Sequence, residues 1–285
     1  MKRSLYFFGL LAALLLACSL PSTVTPTVAP PPVTQTPAVT QPSAATQPPA
    51  VTAAPAVQAN LTCHQLSLYL DPALASGSDC KTVPEVSGAD MPGFAVNPEY
   101  TELTLQGYPL ADRFFTPHID LFPVQRFNEL APDVNIPARV ASLQALTGGG
   151  APGAGALPLM PVFNAAQEFH ALYQVVPFGS GGGIRYLTQY AQFADPVNNH
   201  ELFYSYQGLT ADGKYWVSAI LPVSHASLPA TGDNPPDGQS PEQFSNNFPA
   251  YIADMTTKLN AEASDSFTPS LTMLDALMSS LQVQP

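Results

Sequence analysis

The chain has 285 residues, of which 46% are apolar and only 11% are charged, against roughly 25% charged residues in an ordinary soluble domain. Its formal net charge is −12, and no cluster of Lys and Arg is present that would bind a phosphate backbone, so we expect no nucleic-acid partner. The length allows one sizeable domain or two small ones.

The first residues have the parts of an export signal. Lys2 and Arg3 form a short positive region, and an apolar run from Leu5 to Ala17 follows. This run is shorter than the about 20 residues that a membrane-spanning helix needs. We therefore expect a signal peptide over residues 1–17.

The leader ends in Leu15-Leu16-Ala17-Cys18, which resembles the lipobox of bacterial lipoproteins. The resemblance covers residues 1–18 and implies that Cys18 carries acyl chains such as palmitate, becomes the first residue after cleavage, and anchors the protein in a bacterial membrane. Each buried CH₂ of such chains contributes roughly 0.8 kcal/mol. The expected location is extracytoplasmic, at the cell surface or in the periplasm. A plain secreted protein and an uncut anchor are the alternatives.

Residues 19–58 contain ten prolines and eight threonines and no charge. This composition cannot bury enough apolar surface to offset the entropy of ordering, and its proline spacing favours an extended polyproline II chain. Together with Cys18, we interpret residues 18–58 as a disordered stalk. An unstructured leader without a spacer role is the alternative.

Cys63 and Cys80 are the cysteines that remain once Cys18 is assigned to the lipid. An even pair in an oxidising compartment predicts a disulfide. Two free buried thiols are the alternative, and the spacing contains no CxxC motif of a redox or zinc site.

Residues 59–285 are predicted to form a single globular domain. Its first half should contain a strand turning into a short helix at 65–76, strands at 100–110 and 118–124, a helix at 135–146 and a loop at 147–161. Asn135 is a plausible cap of that helix, because Ile136, Val140 and Leu143 follow at helical spacing.

Four runs rich in aromatic and β-branched residues come next, at 168–178, 183–193, 200–209 and 214–223. The segments between them have turn chemistry, which favours an antiparallel meander of four strands. In the first strand, alternation separates an apolar face from a polar one: Phe169, Ala171, Tyr173 and Val175 against Glu168, His170 and Gln174.

The polar face is the strongest candidate for a site in the sequence. Glu168, His170 and Gln174, joined by Arg185 and Gln189 from the next strand, would bind a polar ligand or perform acid–base chemistry if they lined a groove. The hairpin register is not fixed by the sequence, and the wet face of a half-buried sheet is the simpler interpretation.

Two amphipathic helices are expected after an irregular acidic loop. Ser240 and Gln243 form a capping box with Pro241 at the first helical position, and Pro249 should kink or restart that helix. A last helix is expected to begin at Thr268 and Pro269. The apolar side of each helix should pack against the sheet.

The predicted fold is therefore α+β: an antiparallel sheet of about six strands, including the meander, with amphipathic helices packed on it. The C-terminal hairpins and closing helix (residues 271–283) resemble PsbP-type domains in pattern, without a signature motif. The whole domain resembles uncharacterised exported bacterial lipoproteins. These resemblances imply an accessory subunit of a membrane complex at most.

No motif for a metal, cofactor or nucleophile stands out. The glycine run 179–183 has the features of a hairpin turn, the acidic loop 233–238 departs from a calcium loop at Pro235, and His200 and Glu201 are interpreted as a solvated strand end. Trp216 and its neighbouring tyrosines are expected in the core. We therefore expect a non-enzymatic binding or envelope-structural module that contacts an envelope protein or a glycan. The alternatives are an accessory subunit and an exported hydrolase.

Overall fold

The computed structural model describes residues 58–88 and 90–284. The predicted signal peptide, the lipid site at Cys18 and all of the predicted stalk but its last residue lie outside the described residues. Within these two ranges, no helix combines the length and apolar character needed to cross a membrane.

An antiparallel sheet of seven strands forms the centre of the described chain. In spatial order its strands are β3 (Gly77–Val83), β4 (Tyr100–Gln106), β5 (His118–Pro123), β11 (Tyr215–Pro222), β10 (Phe203–Thr210), β8 (Gly181–Thr188) and β7 (Ala171–Phe178). The α+β class with its antiparallel sheet is confirmed.

Two small sheets and four α-helices complete the described residues. The small sheets consist of β1 (Leu61–Cys63), β2 (Leu66–Leu68) and β12 (Gln282–Val283), and of β6 (Ala166–Gln167) with β9 (Tyr190–Ala191). The helices are α1 (Val124–Leu130), α2 (Ile136–Thr147), α3 (Pro241–Asn260) and α4 (Leu271–Ser279).

The predicted meander is confirmed, because β7, β8, β10 and β11 are consecutive neighbours in the sheet. Gly179 and Ser180 form the hairpin turn between β7 and β8. A close approach explains one glycine of this hairpin: a Cβ at Gly181 would lie 2.1 Å from the carbonyl oxygen of Leu209 on β10. The glycine run therefore serves sheet packing and not a nucleophile or phosphate loop.

Both faces of the sheet are covered, which corrects the expected wet face. Leu271 and Leu274 of α4 pack with Leu187 and Val217 on one face. On the opposite face, helices α1 and α2 share a second buried cluster with Ile184, Tyr186 and Trp216. Strands β8, β10 and β11 are therefore buried on both sides, whereas Gln174 and Val175 of the edge strand β7 are exposed. Trp216 belongs to the core as expected.

The predicted starts of α2 and α3 are confirmed, whereas α4 begins at Leu271 and not at Thr268 and Pro269 as expected. The Asn135 side chain accepts a hydrogen bond from the Ala138 amide, and Ser240 and Gln243 form a capping box. Of the two outcomes expected at Pro249, a kink or a restart, the restart does not occur, because α3 runs as one helix through Pro249. Both Pro249 and Ser245, whose carbonyl loses its helical donor, are exposed, so water can hydrate that carbonyl.

The prediction of a short helix after the first strand is wrong. Residues 72–74 form a turn in which the Asp71 carbonyl accepts from the Leu74 and Ala75 amides, and the Asp71 carboxylate accepts from the Ala73 amide. Because the side chain already satisfies one of these amides, a single turn suffices before β3 begins. No capping residue in the sequence predicted α1, because this helix begins after Pro123 without a side-chain cap.

The predicted disulfide joins Cys63 on β1 to Cys80 on β3, with 2.02 Å between the two sulfur atoms. It links the three-stranded sheet to an edge strand of the large sheet. Cys63 is buried and Cys80 is exposed. Within the described residues, His64 also lies within reach of both sulfur atoms, but sulfur atoms joined to each other are not thiolate ligands for a metal.

Candidate ligand-binding site

Four loops meet at one edge of the large sheet. The pairing of neighbouring strands places the end of β8, the start of β10, the end of β11 and the start of β5 side by side: Thr188 with Phe203, Phe203 with Pro222, and Ile220 with His118. The loops 107–117, 189–202 and 223–240 therefore leave the sheet at the same edge, and segment 163–170 enters β7 there. Together with the start of α3 they enclose a cavity of about 860 Å³.

Aromatic rings form much of the cavity wall. They come from three of the four segments and from α3: Phe114, Phe115, Phe163, Tyr190, Phe193 and Phe244. The rings of Phe115 and Phe163 are stacked with centroids 5.3 Å apart, and Tyr190 meets Phe163 edge-on at 4.9 Å. Phe114 is 63% exposed and Phe193 is 75% exposed, so apolar rings also face solvent beside the cavity.

The side-chain amides of Gln189 and Asn198 are fully buried and position the polar side chains of the cavity wall. The Gln189 Nε2 atom donates to the Pro196 carbonyl at 3.3 Å and to Asp195 Oδ2 at 3.4 Å. The Asn198 Nδ2 atom donates to Asp195 Oδ2 and to Glu201 Oε2, at 3.4 and 3.3 Å. The Asn198 Oδ1 atom also accepts from the backbone amide of Glu201. The loop 189–202 therefore folds around the side chains of Gln189 and Asn198.

The carboxyl groups of Asp195 and Glu201 line the cavity close to each other. Burial raises the pKa of Asp195 to about 7, and a hydrogen bond to Glu201, with the negative charges of Glu201, Glu168 and Asp233, adds to this effect. Two neighbouring carboxyl groups that hydrogen-bond share a proton, so this pair retains a proton near neutral pH. Burial also raises the pKa of Glu168 to about 7.

Gly232 fixes the position of the Asp195 carboxyl group from the opposite loop. A Cβ at this position would lie 2.6 Å from Asp195 Oδ2. The backbone of the loop after β11 therefore lies directly against the carboxyl group, and a larger residue would displace it. Thr231 and Asp233 beside it also line the cavity, and their side chains hydrogen-bond to each other.

The predicted polar face is divided between two places. Gln174 pairs with Arg185 in the register of β7 and β8, so these two members of the predicted polar face are neighbours. The Gln174 Oε1 atom accepts a hydrogen bond from Arg185 at 2.8 Å. Gln189 supports the cavity wall, and Glu168 acts electrostatically on Asp195. His170 is half-buried and, in the described part of the chain, does not line this cavity.

A β-bulge explains why strict alternation in β7 is wrong. Ala171 pairs with Leu187 and Gln174 pairs with Arg185, so two residues of β7 oppose one residue of β8. Leu172 adopts a φ of 50° within this bulge. Beyond the extra residue the faces exchange, so Ala171 and Gln174 point to the same side.

Arg185 is a buried residue with a structural role. Its guanidinium donates to the Leu172 carbonyl in the bulge, and its Nε atom lies 3.3 Å from Asp275 Oδ1 on α4. The Tyr204 hydroxyl donates to the same carboxylate oxygen at 2.9 Å. This network connects the bulge, the sheet and the last helix, and it does not form a groove for ligand.

Sequence reasoning missed Asp195, Asn198 and Glu201. We interpreted the segment around Asp195 as turn chemistry and Glu201 as a solvated strand end, whereas Asn198 is fully buried and Glu201 is partly buried. The length of the segment 189–202 could have indicated the site. The segment is too long for a tight hairpin between β8 and β10, and half of its residues are polar.

His118 lies beside the carboxyl group of Asp120, an arrangement that occurs in hydrolase active sites. In the described chain, neither His118 nor Asp120 lines this cavity. The His118 Nε2 atom is 3.6 Å from Asp120 Oδ2. Burial raises the pKa of Asp120 well above its usual range and lowers the pKa of His118. Both shifts favour neutral side chains, so this is a buried polar pair of the sheet.

Comparison with known proteins gives no match: no family model matches the chain, and no curated protein or solved structure is significantly similar to it.

Proposed function

We propose that this protein is a lipid-anchored extracytoplasmic lipoprotein whose domain binds a small ligand in the cavity at the sheet edge. The observation that carries the binding function is the cavity of about 860 Å³, walled by aromatic rings around a few polar groups. Concave, largely apolar sites of about 300 to 1,000 Å³ with few convergent polar groups are typical of small-molecule binding.

The perturbed carboxyl pair supports the same location. Burial is the main cause of the raised pKa of Asp195, and the neighbouring Glu201 adds to it. Two buried amides and Gly232 fix the position of the Asp195 carboxyl group. Polar groups held in an electrostatically unfavourable arrangement are typical of functional sites. In an envelope protein, we propose that this site binds a free small molecule or a segment of a glycan.

A thermal-shift screen of the purified full-length protein in detergent micelles tests the binding function. The panel contains sugars, cell-wall fragments, amines, nucleotides, lipids, calcium and EDTA. A ligand at about 100 times its Kd adds about 2.7 kcal/mol, which should raise the midpoint by roughly 5 to 10 °C for a domain of this size. No shift with any compound would contradict a binding function for this cavity.

Replacing Cys18 with alanine tests the anchor. We expect the wild-type chain to incorporate an alkyne-labelled palmitate and to fractionate with membranes, because the lipobox resemblance implies acylation at Cys18. The Cys18→Ala chain should lose the label and should not be cleaved before residue 18. Cys80→Ala, which leaves Cys18 intact, is the matched control. Unchanged labelling of Cys18→Ala would contradict the proposal.

A hydrolase is the second candidate, and the raised pKa of Asp195 in the cavity wall favours it, because a carboxyl group that holds its proton near neutral pH can act as a general acid. Mass spectrometry of the panel compounds after incubation distinguishes the two functions: turnover that Asp195→Asn abolishes would establish an enzyme. An exposed apolar patch on the last helix would favour the accessory-subunit alternative. In the described residues, Leu271, Leu274, Leu277 and Met278 of α4 are buried, so no observation favours it.

A further inference from the structure

The charge of the cavity wall is of one sign. Among the described lining residues, Asp195, Glu201 and Asp233 carry carboxyl groups, His200 is the one basic side chain, and no Lys or Arg is present. Glu168 adds a fourth carboxyl group close enough to act on Asp195. An anionic ligand would therefore meet repulsion from every side of the polar wall.

Five of the seven Lys and Arg side chains in the described residues form ion pairs outside the cavity. Arg113 and Arg139 form no ion pair among these residues and do not line the cavity, and Arg139 lies close enough to Tyr190 to act on it electrostatically. Within the described chain, the Lys and Arg residues that form ion pairs do so with carboxylates outside the cavity: Lys81 with Glu102, Arg126 with Glu85 and Glu129, Arg185 with Asp275, Lys214 with Asp212 and Lys258 with Asp254. None of these pairs involves Asp195, Glu201, Asp233 or Glu168. The cavity therefore has no internal countercharge from these pairs, and a bound ligand is in a position to supply it.

The apolar wall suits a positive charge as well as an apolar body. The faces of Phe, Tyr and Trp rings attract an ammonium group placed within about 6 Å of the ring centre. Here the ring of Tyr190 stands edge-on to Phe163, and the loop that follows Tyr190 carries Asp195. Aromatic rings and carboxyl groups therefore line the same cavity.

We propose that the cavity binds an organic cation, an ammonium group on an aromatic or aliphatic body, with the ammonium at Asp195 and Glu201 and the body against the aromatic wall to which Phe163 and Tyr190 belong. This inference rests on the proposed binding function and names the ligand class. Charge complementarity and cation–π attraction act together at this position, and charge-assisted hydrogen bonds to carboxylates are the stronger kind.

The proposal requires a definite pH dependence. The groups that face Asp195 are the carboxyl groups of Glu201, Glu168 and Asp233 and the amides of Gln189 and Asn198. Tyr251 on α3 also interacts with Asp195 electrostatically, and His200 lines the same cavity. A bound cation favours the ionised form of Asp195. Because Asp195 has a pKa of about 7 in the free protein, affinity should rise as the pH increases from 6 to 8, with proton release on binding.

Calorimetric titration of the full-length protein with tyramine and with tyrosol tests the ligand class. The two probes have the same phenol ring and chain, but tyramine ends in an ammonium group and tyrosol in a neutral hydroxyl. We expect tyramine to bind about tenfold more tightly or better at pH 8, and this preference to shrink at pH 6. Asp195→Asn should remove most of the preference, while Asp79→Asn, an exposed carboxylate on β3, should retain it.

Three results would overturn the inference, and they separate it from the proposed function. Equal binding of tyramine and tyrosol at both pH values would show a ligand site without charge selection. Binding of another panel class, such as a neutral sugar, with no binding of either probe would likewise leave a binding protein for a different ligand. No binding of either probe or of any panel compound would contradict both the ligand class and the binding function.

Discussion

Replacing Asp275 with alanine is expected to lower the free energy of unfolding by about 3 to 5 kcal/mol. The side chain of Arg185 is 4% exposed and that of Asp275 is 18% exposed, so the variant leaves a guanidinium buried without its carboxylate. The Leu172 carbonyl and Gln174 still accept hydrogen bonds from Arg185, but neither carries a charge. The Tyr204 hydroxyl also loses its acceptor.

Urea denaturation of the wild type and Asp275→Ala measures this difference, and Asp254→Ala is the matched control. Asp254 pairs with Lys258 on the exposed side of α3, and such pairs contribute about 0.5 kcal/mol or less. The double variant Arg185→Met with Asp275→Leu should recover most of the loss, because apolar side chains can replace a buried ion pair. A loss below about 1 kcal/mol for Asp275→Ala would contradict the assigned role of the network.

Removing the disulfide is expected to have the second-largest effect. Cys63 and Cys80 are separated by 17 positions, and in the chain-entropy model a loop of this length contributes about 3 kcal/mol. The double variant Cys63→Ala with Cys80→Ala should therefore unfold at lower denaturant concentration than the wild type. The pairing of β3 with β4 should persist, because its seven paired positions do not depend on the bond.

Reduction of the wild type provides the control for this result. Wild-type protein in excess reductant should approach the midpoint of the double alanine variant, whereas the variant itself should not respond to reductant. Equal stability of the oxidised and reduced wild type would show that the bond contributes little. Reaction of Cys63 or Cys80 with thiol reagents in the unreduced, unfolded protein would contradict the bond itself.

Local signals in the sequence were enough to predict much of the fold. Turn chemistry between β-branched runs predicted the meander, and Asn135 and Ser240 predicted the starts of α2 and α3. These features depend on residues a few positions apart. In contrast, coverage of the second sheet face by α1 and α2 depends on packing between distant segments, and the sequence pattern did not reveal it.

The candidate site was less predictable for the same physical reason. The polar face required strict alternation through β7, and the bulge at Leu172 breaks that alternation. Phe115, Phe163 and Asp195 lie in three different loops, and only the strand order of the sheet brings them to one edge. Gln189 belongs to the predicted polar face, but its amide donates to Asp195 and does not extend the stripe with Arg185.

A titration comparing a filled cavity with an open one tests most directly whether the cavity at the sheet edge is the binding site. The variant Ala165→Trp with Ala194→Trp places two indole rings in the cavity, since both alanines line it. Its control, Ala211→Trp with Ala263→Trp, adds the same rings at exposed positions outside the cavity. We expect the compound with the largest thermal shift to bind the filled variant about tenfold more weakly or worse, and to bind the control like the wild type. Equal affinity for the filled variant and the wild type would place the binding site elsewhere and contradict the proposed function of this cavity.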